Sequence, residues 1–145
     1  MEVYTIGFTK KTAEQFFNAL KKVGIRRLLD VRLNNVSQLA GFAKRADLVF
    51  FLQEICGAEY VHEPLLAPTE ELLRAYRKKQ ATWQEYEARF RALMKERDVH
   101  SRIERDLFDV PTVLLCSEAT AEHCHRRLVL EYLQEKWGDL TISHL

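Results

Sequence analysis

The sequence predicts an α/β domain of three layers, Rossmann-like, with a mainly parallel sheet of about five strands and helices on both faces. Three observations predict it. Short β-branched and apolar runs alternate with longer stretches of helical periodicity, the order that builds strand–helix–strand units and parallel pairing. Thr112–Cys116 is continuous, apolar and preceded by Pro111, as a strand covered on both faces should be. The 145 residues, 47% of them hydrophobic, are a single-domain length, predicting one α/β domain over 1–145. A chain of this size buries roughly 68–70% of its unfolded surface, so the fold is expected to need no metal or disulfide.

The elements follow in order. Val3–Ile6 is a short strand that stops at Gly7. Thr12 with Gln15 has capping-box spacing, and Phe16, Phe17, Leu20 and Val23 continue as a helix that Gly24 ends. Ile25–Val31 is a second strand, followed by a polar loop through Asn34, Ser37 and Gly41. A helix is expected over Asp47–Ile55, a short strand over Glu59–His62, and a helix capped by Thr69 over Glu70–Lys79. Trp83, Tyr86, Phe90, Leu93 and Met94 make the apolar stripe of a further helix and read as core contacts. After the Thr112–Cys116 strand and a loop over Ser117–Glu122, Leu128, Val129, Tyr132, Leu133 and Trp137 mark the last helix. Leu140–Ser143 closes the sheet.

Composition excludes several classes. Lys+Arg 22 against Asp+Glu 21 gives a net charge of +1, so no global basic field points to nucleic acid or an anionic membrane. No apolar run approaches the ~20 residues of a membrane span, and the N-terminus reads as a strand and not a signal peptide. Three cysteines are too few, and odd in number, for a secreted disulfide framework. A soluble, cytoplasmic protein is expected. Only Gly7 follows the first strand, so the dinucleotide-binding glycine loop and the P-loop are both missing, and no cofactor is expected.

In open parallel sheets, ligands bind beyond the carboxyl ends of the strands. Those ends carry Thr9, then Asp30 and Arg32, then His62 and Glu63, then Cys116, Ser117 and Glu118, and last His144. Cys124, His125 and Arg126 open the last helix, where free N–H groups and the dipole favour anions and thiolates. Cys116 is therefore a candidate nucleophile or redox thiol and Glu118 a candidate general base. Asp30 could orient a base, contact a ribose hydroxyl, or form a structural ion pair with Arg32. Arg32, Lys44 and Arg126 would hold an anion, with Thr9, Ser37, Cys124 and His125 around it. The spacing of Cys116, Cys124 and His125, with His144 as a possible fourth ligand, could also serve zinc but matches no strong zinc pattern; no metal ligand is assigned.

The motifs Thr5-Ile6-Gly7, Asp30-Val31-Arg32, Ser37, Gly41-Phe42-Ala43-Lys44 and Leu66-Ala67-Pro68-Thr69 occur together with Leu115-Cys116-Ser117-Glu118, Cys124-His125-Arg126-Arg127 and His144-Leu145. In this combination, over nearly the whole chain, the sequence resembles the family called domain of unknown function 488. The resemblance implies a compact α/β domain whose motif residues gather at one face, and supplies no reaction. Many members resemble Gly-His-Ser after the first strand and carry arginine after the serine of the second loop; this chain has Gly7-Phe8-Thr9 and Gln38.

Two functions compete. One is an enzyme or ligand-binding domain for an anionic, nucleotide-like or phosphorylated small molecule. The other is a nucleic-acid-binding module using Lys44, Arg45, Arg74, Arg77, Lys78 and Lys79, with Phe42 or Tyr76 for stacking; solvated helix faces explain the same charges. The first reading expects Asp30, Arg32, Cys116, Glu118, Cys124, His125 and Arg126 to line one pocket. It also expects Arg32 to pair with Glu118 or a bound anion, and Cys116 to be shielded.

Overall fold

A computed structural model describes residues 1–35, 41–118 and 122–145. Five strands, β1 (Glu2–Gly7), β2 (Arg27–Asp30), β3 (Glu59–His62), β4 (Thr112–Cys116) and β5 (Thr141–His144), pair in the order β3-β2-β4-β1-β5. Every pairing is parallel. The helices are α1 (Ala13–Lys22), α2 (Arg45–Phe51), α3 (Glu70–Arg77), α4 (Trp83–Glu96), α5 (Val99–Arg102) and α6 (His125–Trp137). No helix among the described residues is long and apolar enough to cross a membrane.

Strand alternation sorts the core into two halves. On β4, Val113 and Leu115 face α1 and α2, packing with Phe16, Phe17, Leu20, Leu48 and Leu52. Leu114 and Cys116 face the other way, into a core with Phe90, Met94, Leu128, Val129 and Leu133 from α4 and α6. The sheet is thus the middle of three layers. The neighbouring strands β2 and β4 send their connections to opposite faces, β2 toward α2 and β4 toward α6. That divergence opens a crevice at their carboxyl ends.

Local signals account for most boundaries. The Thr12 hydroxyl accepts from the Gln15 N–H at 3.1 Å while Gln15 Oε1 accepts from the Thr12 N–H at 2.9 Å. Thr82 and Glu85 repeat the box at the start of α4. Several expected spans change. The second strand is shorter than Ile25–Val31, although the Val31 N–H still extends the ladder to the Leu115 carbonyl at 3.2 Å. The helix expected over Asp47–Ile55 starts at Arg45, and from Leu52 to Cys56 it widens into a π-turn closed by left-handed Gly57. The helix expected to reach Lys79 ends at Arg77, because the chain turns left-handed at Lys79 with φ 57°. The last strand sits one residue later than expected, leaving Leu140 buried before it. Helix α5 and the 3-10 turn at Arg105–Phe108 are too short for periodicity to reveal, and Val99, Ile103 and Phe108 anchor them in the core.

Gly7 lets the loop after β4 cross β1. A Cβ at this position would lie 1.4 Å from the Glu118 carbonyl oxygen and 2.5 Å from Arg126 Nη1. Gly7→Ala is therefore expected to destabilise the domain by at least about 1–3 kcal/mol, the range for overpacking. Urea unfolding measures this, and an unchanged midpoint would contradict the described crossing.

Candidate functional site

At the carboxyl edge of the sheet lies a cleft of about 390 Å³. Phe8 and Thr9 line it from the end of β1, Arg32, Leu33 and Asn34 from the end of β2, and Cys116, Ser117 and Glu118 from the end of β4. Cys124 and His125, at the start of α6, complete the floor. Tyr76, Arg77, Trp83, Tyr86 and His123 form the opposite wall.

The turn after β2 is held by a buried ion pair. Asp30 is fully buried and accepts from Arg32 through Nε and Nη2, each at 2.8 Å, and from the Arg32 backbone N–H at 3.1 Å. The Tyr60 hydroxyl donates to the same carboxylate at 2.5 Å, and burial followed by Asp30 itself pushes that phenol above its ordinary range. Arg32 Nη2 also donates to the Ala43 carbonyl, and its guanidinium lies 5.4 Å from the centre of the Phe8 ring. The carboxylate partner of Arg32 is thus Asp30 and not Glu118, as one expectation had it, while its Nη1 has no hydrogen-bond partner among the described residues and the side chain still lines the cleft. The polar atoms of Asp30 are consumed by the fold, so the carboxylate is not presented to the cleft as a catalytic group would be.

Between the paired residues, the Val31 carbonyl points to the far face of the sheet and accepts from His125 Nε2 at 2.7 Å. A carbonyl can only accept, so Nε2 carries the proton and Nδ1 is turned toward sulfur. It lies 3.5 Å from Cys116 Sγ and 4.0 Å from Cys124 Sγ. Hydrogen bonding from the Cys124 thiol, with help from His125 and the Glu118 backbone N–H, holds the Cys116 thiol well below its usual range against the opposing effect of burial. Burial, then the Cys116 charge, pushes Cys124 the other way. Burial opposes a charge on His125 too, but the neighbouring Cys116 thiolate outweighs it and raises the imidazole. Cys116 is 4% exposed, and that remnant faces the cleft floor.

The wall is a stack of rings. Trp83 lies 4.9 Å from His123 and 5.3 Å from Tyr86 in stacked geometry, and Tyr76 closes on Tyr86 at 5.0 Å. Trp83 is half-buried and His123 exposed, so part of the stack faces solvent. Arg77 is exposed at the rim and makes no ion pair among the described residues, whereas Arg127 lies 5.9 Å over Trp83.

Five of the seven residues expected in one pocket do line it: Arg32, Cys116, Glu118, Cys124 and His125. Asp30 and Arg126 do not. Arg126 is fully buried, and its Nη1 donates to the Glu118 carbonyl at 2.6 Å, on the side of the loop where Gly7 leaves room. Nη1 ties the end of β4 to the start of α6 through Glu118, so Arg126→Ala should loosen that tie, while Nε and Nη2 have no hydrogen-bond partner among the described residues. Thr9 is at the rim with its hydroxyl donating to the Ser117 carbonyl. Lys44 precedes α2 and is not among the described lining residues, and Ser37 lies outside the described residues. His144 does not join the cysteines, since its Nδ1 pairs with Thr5 Oγ1 at 2.6 Å.

The residues proposed for nucleic acid divide between two faces of the sheet. Lys44 and Arg45 begin α2, while Arg74 and Arg77 lie on α3, which packs on the other side. Phe42 is half-buried against Phe16 and Phe17. Reading the sequence missed the ring wall, because Trp83 and Tyr86 keep core spacing; the signal was that Trp83 directly follows the Thr82 cap, at a helix end that meets the sheet edge. It also missed the Val31 carbonyl, a backbone group without a sequence signature.

Alkylation by iodoacetamide checks the thiolate. An ordinary thiol of pKa about 8.5 slows tenfold for each pH unit below that value. Because Cys116 is shifted downward, its tenfold-per-unit loss should begin at a lower pH than that of an ordinary thiol. A tenfold loss per unit starting at pH 8.5, followed at Cys116 by peptide mass spectrometry, would contradict the arrangement. Removing the carboxylate by Asp30→Ala should cost about 3–5 kcal/mol in urea unfolding, because Arg32 is left as an unpaired buried charge.

A family model described as Domain of unknown function DUF488 matches residues 12–133. No curated protein and no solved structure matches the chain.

Proposed function

The chain belongs to the DUF488 family, a family named without a reaction, and from the geometry of the cleft we propose that it acts on a small anionic, nucleotide-like ligand through the Cys116 thiolate. One observation carries the reading: a buried cysteine–imidazole pair opens into a cleft walled by stacked rings and rimmed by Arg77, which makes no ion pair among the described residues. The ring wall, in which His123 is exposed and Tyr76 half-buried, suits a base or similar ring, and each base–aromatic stack is worth about 1–3 kcal/mol. Arg77, exposed and without an ion pair among the described residues, suits a phosphate, which a guanidinium can grip with two parallel hydrogen bonds.

In this reading Cys116 is the candidate nucleophile and His125 stands beside it as its proton partner, oriented by the Val31 carbonyl as a third group orients the base in other nucleophile–base pairs. The Glu118 backbone N–H stabilises the sulfur anion, and the exposed Glu118 side chain at the rim is available for proton transfer to the ligand. The nucleic-acid reading has no comparable support, since its basic residues do not share a surface.

Calorimetry with 5′-AMP and adenosine tests the ligand class. AMP should bind more tightly than adenosine, and Arg77→Ala should weaken AMP by roughly ten- to a hundredfold, the loss of one charge-assisted contact of about 1.5–3 kcal/mol. Adenosine binding should be indifferent to that substitution. Equal affinity for the two ligands, or AMP binding untouched by Arg77→Ala, would remove the phosphate role. Bound AMP should also slow alkylation of Cys116 several-fold, and an unchanged rate would separate the thiol from the ligand site.

A further inference from the structure

We propose that Cys116, Cys124 and His125 form a binding site for one thiophilic cation, with Zn²⁺ the expected occupant and a fourth coordination position open to the cleft. The two Sγ atoms and one ring nitrogen lie within 4.8 Å of one another. Zinc bonds of about 2.0–2.1 Å to nitrogen and about 2.3 Å to sulfur, set tetrahedrally, place ligand atoms roughly 3.5–3.8 Å apart. The observed 3.5 Å and 4.0 Å from Nδ1 to the two sulfurs need only a few tenths of an ångström of closure.

Three further features favour a cation over a simple thiol–imidazole contact. With Nε2 committed to the Val31 carbonyl, Nδ1 is the ring nitrogen that faces the two sulfurs and would give up any proton to bind an ion, the outer-shell arrangement that orients metal-binding histidines. All three donors sit on packed elements, Cys116 at the end of the central strand β4 and the other two at the start of α6, so they are positioned before any ion arrives. Two thiolates and one imidazole are also a soft set that selects zinc or copper(I) over magnesium, calcium or manganese.

The openness of the site follows from the topology. All three residues line the floor of the cleft, so the remaining position faces the space where the ligand would sit. Three protein donors with one open position are the pattern of zinc sites that act on ligands, whereas structural sites are closed by four. A cation there would face the anionic part of a bound nucleotide. With the ion bound, Cys116 is a ligand and the open position becomes the reacting one; without it, the thiolate is free. The inference shares the cleft with the proposed function but does not rest on its ligand class.

Cobalt(II) provides the test, on full-length reduced protein without nucleotide. One equivalent should produce near-ultraviolet thiolate-to-cobalt absorption together with intense tetrahedral ligand-field bands, both abolished by one equivalent of Zn²⁺. Cys116→Ser and Cys124→Ser, each checked for folding by circular dichroism, should each weaken Zn²⁺ at least a hundredfold. Cys56→Ser should bind as the parent does, since Cys56 packs by α1 on the other side of the sheet. A weak octahedral spectrum, bands that persist in either cysteine variant, or bands lost with Cys56→Ser would overturn the site. Should a variant fail to fold, the spectrum of the parent protein decides by itself. Because no nucleotide is present, failure here leaves the AMP measurements standing, and AMP titrations run with a chelator can fail without touching this result.

Discussion

The Asp30–Arg32 ion pair sets the geometry on which the site depends. Two residues at the end of a parallel strand clasp each other side chain to side chain, and the carboxylate takes the intervening backbone turn as well. Burying both charges has a large desolvation cost, offset here by two parallel charge-assisted bonds and by the Tyr60 hydroxyl and Ala43 carbonyl on the flanks. The turn allows little freedom. Val31, caught between them, must direct its carbonyl through to the other face of the sheet. There it fixes which nitrogen of His125 carries the proton, and with it the charge on Cys116. The clasp lies on the α1/α2 side and the thiols on the α4/α6 side, so one backbone carbonyl joins the two halves of the core.

The fold places this linkage at the crevice along the carboxyl edge of the sheet. Strands β2 and β4 are neighbours whose connections leave toward opposite faces, and the gap between those connections is the cleft. The thiols sit at its floor and the rings of α3 and α4 rise on one side. Arg126, beneath the loop and against Gly7, keeps the Glu118 backbone N–H near sulfur by holding the carbonyl of the same residue. Asp30 and Arg126 lie behind the cleft wall and join neighbouring segments, while the groups that line the cleft are the thiols, His125, the rings, Glu118 and the arginines Arg32 and Arg77.

Much of the fold was legible in the sequence, because its signals are local. The apolar run at Thr112–Cys116, the capping boxes at Thr12 and Thr82 and the alternation of elements specify a parallel three-layer domain without knowledge of any long-range contact. The strand-end rule likewise brought Cys116, Glu118, Cys124, His125 and Arg32 to one place. What stayed hidden depends on direction. Arg32 lies two residues from Asp30 and could turn back to it or outward to Glu118, and only the buried turn decides. Arg126 carries the same charge whether it grips a phosphate or a carbonyl, and the space left by Gly7 determines which. Trp83 and Tyr86 keep the spacing of core residues, so nothing in the pattern marks them as a wall. The Val31 carbonyl is shared by every residue type.

The two tryptophans allow the central claim, that a nucleotide-like ligand occupies the ring-walled cleft above Cys116, to be measured inside one molecule. Trp83 stands in the cleft, whereas Trp137 packs edge-on against Phe108 at 5.6 Å in the core on the α6 side. In ¹⁵N-labelled protein each indole N–H gives its own NMR signal, and 5′-AMP can be titrated while both are followed. The account predicts that the Trp83 signal moves progressively to saturation while that of Trp137 stays in place. A stationary Trp83, or a Trp137 that moves as far, would contradict it.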